Sequence, residues 1–421
     1  MNKRTFLKST SLLGLGSLAA LSAIGKVFNK IEELSPTITG DDEAFWQQVR
    51  SSYKLNPDFI NLENGYYCIA PKIVMARYLD HIRYVNLEGA HYMRTVQFDN
   101  KKAVAQRLAK VAGCAPEELI ITRNTTESLD MIINGQHWRR GDEAIMAEQD
   151  YGAMLDMFKQ VSKRFGTVNK IVSIPHDPQS DEEIVALYEG AITPRTKLLM
   201  VCHMINITGQ ILPVRKICDM AHRHGVKVMV DGAHAFAHIR YSIPELNCDY
   251  YGSSLHKWLS TPLGAGLLYV RKDHIADIWP VFADSSKKDD DILRLNHTGT
   301  NPVTVDLAIS DAIDYYHHIG AERKEARLRY LQHYWTSRVR HLPNIILNTP
   351  TDPARSCGIA NVGIKGMKPS DMADTLMKRY NIYTVAIDGA GVQGCRITPN
   401  VFTSVDELDT FIDALAEMQS A

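Results

Sequence analysis

Between residues 115 and 271 the chain alternates short apolar runs with amphipathic segments, and this alternation restricts the possible folds more than any other feature. The runs are ELIIT (118–122), EAIMAE (143–148), KLLMVCH (197–203), KVMVDGA (227–233) and GLLYVRK (266–272). Each is too short to be a buried helix, and helical patterns separate them. Continuous apolar strands joined by helices specify a mostly parallel sheet covered on both faces. Residues 41–56 predict a short helix, and 321–341 a long charged one. Beyond these, SCGIANVGIKG, NIYTVAI and GCRITPN predict strands, while SDMADTLMKRY and SVDELDTFIDALAEM predict helices. The sequence therefore divides into a large domain over 58–300 and a smaller α+β domain formed by 36–57 and 301–421. With 421 residues, 45% of them hydrophobic, the chain can fill both cores.

The first 35 residues have a different layout. A basic start is followed by an apolar stretch rich in Gly and Ala, and then by small residues, which is the arrangement of an export signal. The apolar stretch is too short and too Gly-rich for a good membrane span. KRTFLK resembles the twin-arginine signal, with Lys3 where the first arginine would stand. The expectation is export to the periplasm after folding, with no membrane segment in the mature chain. A net charge of -1 gives no reason to expect a nucleic-acid partner. Seven cysteines without a CxxC, and His222 and His224 on different helix faces, give neither a disulfide framework nor a metal site.

In parallel α/β sheets ligands bind at the carboxyl ends of the strands. ELIIT runs into RNTTES, which puts Thr125 and Thr126 at a helix start, where free N–H groups favour phosphate. The same residues would serve as an ordinary helix cap. KVMVD ends an apolar strand on Asp231, and a buried carboxylate requires a partner. KLLMVCH leads to Asn206 and Thr208, and SSLHKW supplies Ser254, His256 and Lys257. A desolvated lysine has a lowered pKa, so its amine can attack a carbonyl. Each motif taken alone has a structural explanation. Together they provide a phosphate cradle, a carboxylate for a ring nitrogen, an amide for a ring oxygen and an amine for an aldehyde. That combination fits pyridoxal 5'-phosphate. A nicotinamide-dependent dehydrogenase would need a GxGxxG after an early strand, and the chain has none there.

INLENGYY (60–67), TRNTTES, VDGAHA, SLHKW, HTGTNP (297–302) and CRITPNVFTSVDELDTFIDAL occur in an order that resembles the class V aminotransferase group of fold type I. This group includes isopenicillin N epimerase-like proteins, cysteine desulfurases and kynureninases. The resemblance covers roughly 58–418. It implies the α/β PLP-dependent transferase fold, with a mostly parallel seven-stranded sheet in the large domain. It also implies Lys257 as the Schiff-base lysine and Asp231 as partner of the pyridine nitrogen. Asn206 and His234 fall near the ring hydroxyl. Thr125, Thr126, Ser254 and His256 fall at the phosphate, and Thr300 reaches the phosphate of a neighbouring subunit, which implies a homodimer. Arg396 matches the arginine that grips the substrate carboxylate, for which a bidentate fork suits. EQDYGAM puts Tyr151 near the cofactor face, where many relatives have histidine. A desulfurase needs a nucleophilic cysteine on a mobile loop, but Cys395 adjoins Arg396 on an expected strand. The resemblance therefore implies a small amino-acid substrate and an epimerase-like reaction, with a C–S or other β-lyase and a transaminase as alternatives. An exported binding protein that retains the fold is the non-enzymatic alternative.

Overall fold

The computed structural model describes residues 39–420, so the expected export signal lies outside the described residues. Strand β1 (Ile60–Asn61) precedes the large sheet, which is built from β2 (Leu119–Thr122), β3 (Glu143–Ala147), β4 (Val168–Val172), β5 (Thr196–Cys202), β6 (Lys227–Asp231), β7 (Tyr250–Ser254) and β8 (Gly266–Val270). Its seven strands run in the order β2-β8-β7-β6-β5-β3-β4. β8 alone runs against the direction of the other six. Every residue of β2, β3, β7 and β8 is buried, as expected for strands covered on both faces. One apolar cluster, with Val201, Val230 and Leu267, lies on one face; a second, with Met200, Met229 and Leu268, lies on the other.

The smaller sheet contains β9 (Ile345–Leu347), β10 (Ala360–Ile364), β12 (Val385–Gly389) and β13 (Val392–Ile397), all paired antiparallel. Between them, β11 (Ile382–Tyr383) pairs in parallel with β1, and Glu63 forms a bridge with Thr398. A third apolar cluster includes Leu331, Trp335, Val362 and Phe411. The sequence places 36–57 and 301–421 together. In the structure Phe45, Trp46 and Val49 of the helix Glu43–Ser51 join the cluster of the large sheet, as do Ile309 and Ile313 of the helix Val303–Ile319. The change of core falls instead at the helix Ala321–Val339, whose Leu331 and Trp335 face the smaller sheet.

Gly209 has φ of +77°, and a Cβ there would stand 2.0 Å from the Ile359 carbonyl oxygen. Backbone cannot move aside as a flexible side chain can. Gly209→Ala is expected to lower unfolding free energy by more than about 2 kcal/mol in a denaturant titration, because strain and clash add.

Candidate active site

Sheet register assembles the site. Cys202 pairs with Asp231, and Asp231 with Gly252, so β5 and β6 end level and β7 runs two residues further, to Ser254. Gly266 pairs with both Thr122 and Ser254. This brings the start of the helix Thr125–Gly135 beside Ser254, whose hydroxyl accepts the Thr125 N–H at 2.9 Å and lies 2.7 Å from Thr125 Oγ1. A Cβ on Gly266 would lie 2.6 Å from the Asn124 nitrogen, so this close crossing requires glycine. Asn124 caps the helix by accepting from the Glu127 N–H at 2.8 Å. Thr126 lies in the first turn and has no intrahelical acceptor for its N–H.

Asp231 ends β6 and is buried. Its Oδ1 accepts the Ala233 N–H at 2.9 Å. Burial raises its pKa, opposed by that N–H and by Lys257. Lys257 is half-buried yet densely surrounded by protein, and burial pushes its amine down to about 8 against the pull of Asp231. Its Nζ lies 3.0 Å from His234 Nε2, while Trp258 Nε1–H donates to His234 Nδ1 at 3.4 Å. Trp258 therefore fixes the tautomer. With Nδ1 accepting, the proton of neutral His234 sits on Nε2 and can be donated to the Lys257 amine when that amine is uncharged. Burial and the neighbouring charges of Lys257 and Arg396 keep His234 neutral.

His256 is buried, with its pKa pushed down to about 4 by burial and then by Lys257. Its Nδ1 has no hydrogen-bond partner, and Tyr67 stacks on it at 5.9 Å. Buried Asn206 offers its main-chain carbonyl to Arg396. Tyr151 is exposed at the start of the helix Gly152–Phe165, and burial and then Tyr66 and Tyr67 raise its pKa. Thr300 is exposed on the loop before Val303 and makes no hydrogen bond to the other candidates among the described residues. That loop is anchored at the end of β2, where Asn296 donates to the Ile121 carbonyl at 2.8 Å.

Sequence reasoning did not identify the partner of Arg396. The arginine is fully buried on β13, and Glu63 takes its Nε–H at 2.9 Å and its Nη2–H at 2.7 Å. Tyr66 lies over the guanidinium at 4.0 Å. Glu63 is the one charged residue between Phe59 and Ala70, and that was its available signal. Cys395, in contrast, is buried with its thiol pushed up to about 11. The connection before it is the tight turn of Ala390 and Gly391, both with positive φ.

The low pKa of Lys257 gives a prediction for the cofactor-free chain. A folded-state value of about 8 against 10.5 in the open chain means that folding disfavours the ammonium form. The cost is full below pH 8 and disappears as pH rises through 10.5. Lys257→Met is therefore expected to be more stable than the wild-type chain below pH 8, with the gap closing by pH 10.5. Denaturant titrations across that range check this. A gap that widens with pH would mean the amine is held charged.

The class V aminotransferase model matches residues 70–396. The chain belongs to the class V aminotransferase family. It is 25% identical over 389 residues to the isopenicillin N epimerase of Streptomyces clavuligerus, covering 88% of this chain and 98% of that one. It is 27% identical to a probable cysteine desulfurase of Halalkalibacterium halodurans, over 68% and 72% of the two chains. Among solved structures, the apo cysteine desulfurase of Thermococcus onnurineus NA1 superposes with a TM-score of 0.79 at 21% identity, over 92% of this chain and 100% of that one. A C-DES mutant with glycine covalently linked to its PLP cofactor superposes equally well, at 0.79 and 20% identity, over 87% and 99%.

The cofactor of this family is pyridoxal 5'-phosphate, and the gathered residues fit it. An amine with a lowered pKa, a buried carboxylate, a histidine with an orphaned Nδ1 and a helix start with the Thr126 N–H free meet at the carboxyl ends of the strands. Lys257 would hold the cofactor, Asp231 would face its ring nitrogen, and Thr125, Thr126, Ser254 and His256 would receive its phosphate. When bound, the cofactor draws electrons from the carbon that bears the substrate amine.

Proposed function

We propose that this enzyme removes the α-proton of an amino acid or amino-acid-containing compound, with Lys257 as the proton carrier, in an epimerase-like reaction. The observation that carries this is the Lys257–His234–Trp258 chain, which holds a buried amine at the strand ends with its pKa lowered to about 8. An amine must be uncharged to accept a proton, and a pKa of about 8 suits exchange near neutrality. Asp231 would face the ring nitrogen, with the Ala233 N–H and Lys257 favouring its charged form against burial. Arg396 would orient the substrate carboxylate, with Tyr66 over its guanidinium and Tyr67 stacked on His256.

A desulfurase reaction is disfavoured because it needs an accessible nucleophilic thiol. Cys395 is sequestered on β13, and Cys68, which is close to His256, is buried with its pKa raised. A β-lyase or transaminase shares the first proton removal and would diverge later. We also propose a homodimer. In support, Met75, Leu79 and Ile82 form an exposed apolar stripe on the helix Lys72–Glu88, and Leu87 of the same helix and Phe98 of the helix Gln97–Ala112 are also exposed. Thr300 would then act on the partner's phosphate. The sequence of the first 35 residues supports periplasmic export. Among the described residues no helix is long and apolar enough to cross a membrane.

The test is the visible absorption spectrum of the purified chain, followed by incubation with single L- and D-amino acids in deuterated water. A cofactor band, with α-deuterium appearing in both enantiomers, is the expected result. Deuterium retained in one enantiomer, with keto acid formed, would favour transamination; pyruvate and a released β-substituent would favour a lyase. A colourless chain that takes up no pyridoxal phosphate would overturn the assignment.

A further inference from the structure

Arg396 does not stand in the site as a free cation. Its guanidinium has five N–H donors. Nε–H and one hydrogen on Nη2 go to the two oxygens of Glu63, and one hydrogen on Nη1 goes to the Asn206 carbonyl at 3.1 Å. One hydrogen on each terminal nitrogen has no acceptor among the described residues. Buried donors rarely remain unpaired, so these two define a place for an incoming oxygen pair. Tyr66 lies over the flat face of the guanidinium at 4.0 Å, so the pair would have to meet the group in its own plane.

Glu63 is held too firmly to make way for a substrate. Its Oε1 also accepts the Gly65 N–H at 2.9 Å and the Tyr66 N–H at 3.0 Å. Its own N–H donates to Asn61 Oδ1 at 3.0 Å, and the backbone beside it is pinned by Thr398. The carboxylate is therefore a permanent part of the subsite, and the Glu63–Arg396 unit carries no net charge. A substrate carboxylate would be gripped by geometry and two hydrogen bonds; the arginine would then serve two carboxylates, and a second anionic group on the substrate would meet the remaining negative charge in a dry setting.

We propose that Glu63 determines substrate specificity, limiting the site to amino acids with a single carboxylate and excluding dicarboxylic ones. The inference rests on the assignment of Arg396 to the substrate carboxylate made above, and it adds the substrate class.

The test is a calorimetric titration of the full chain with propionate and with succinate at constant ionic strength, for wild type and Glu63→Gln. Glutamine keeps the shape and one acceptor and removes the charge. Wild type is expected to bind propionate at least about tenfold more tightly than succinate. Glu63→Gln is expected to narrow that gap to within about threefold by gaining affinity for succinate. Equal or tighter binding of succinate by wild type would overturn the proposal, and so would no binding of either ligand. A Glu63→Gln variant that loses both ligands alike would reduce Glu63 to a support for Arg396. If the variant fails to fold, the wild-type comparison still decides. The cofactor band is recorded on the same preparation. Its absence counts against the enzymatic assignment, whereas the carboxylate ranking counts for or against Glu63.

Discussion

Lys257→Ala is expected to lower kcat by at least about a thousandfold, while the chain stays folded. Acid–base transfer by a positioned side chain contributes about 10²–10⁴-fold, and here the same amine also anchors the cofactor. Removing it deprives His234 Nε2 of its partner but opens no large apolar cavity, since the residue is only half-buried. Steady-state kinetics alongside a thermal melt separate the two effects. The visible band should move or vanish in the variant, and added methylamine should restore part of the rate. A variant that retains more than about a tenth of the wild-type kcat would remove Lys257 from the chemistry.

The second large effect is on stability. Arg396→Met is expected to cost about 3–5 kcal/mol, because Glu63 is left charged and buried. Both groups are almost wholly inaccessible, and two hydrogen bonds join them. Glu63→Gln combined with Arg396→Met should recover a substantial part of that loss. A double-mutant cycle by chemical denaturation measures the coupling, and independent sites would give a value near zero. If Arg396→Met cost under about 1 kcal/mol, water or a proton must compensate Glu63, and the charge-neutral unit described above would not exist.

The large sheet was legible in the sequence because its central strands are continuous apolar runs, as in LLMVC and VMV. Asp231 and Lys257 were legible because a charge at the end of such a run has few explanations. Strand β7 was not, because YYGSS carries its burial on tyrosines and small residues rather than on an aliphatic run. Strand β4 lies at the sheet edge with most of its residues open to solvent, so VNKIV has no apolar face to announce it. The helix Val303–Ile319 carries nine buried residues, and only its packing shows that it belongs to the large core. Glu63 and Arg396 are separated by 333 residues. Nothing local to either indicates the other, and their pairing follows from β1 meeting β11 and Glu63 meeting Thr398.

That separation bears on how the protein is made. A ribosome releases Glu63 early and Arg396 close to the end, so the charge pair and the short parallel pairing beside it cannot close until translation is almost complete. The large sheet, with all its strands emitted by residue 270, can be in place well before then. The cradle for the phosphate can thus precede the grip on the substrate. A nascent chain would pass through a stage able to take up its cofactor but unable to hold an amino acid in register, and a chain cut short before residue 396 would remain there.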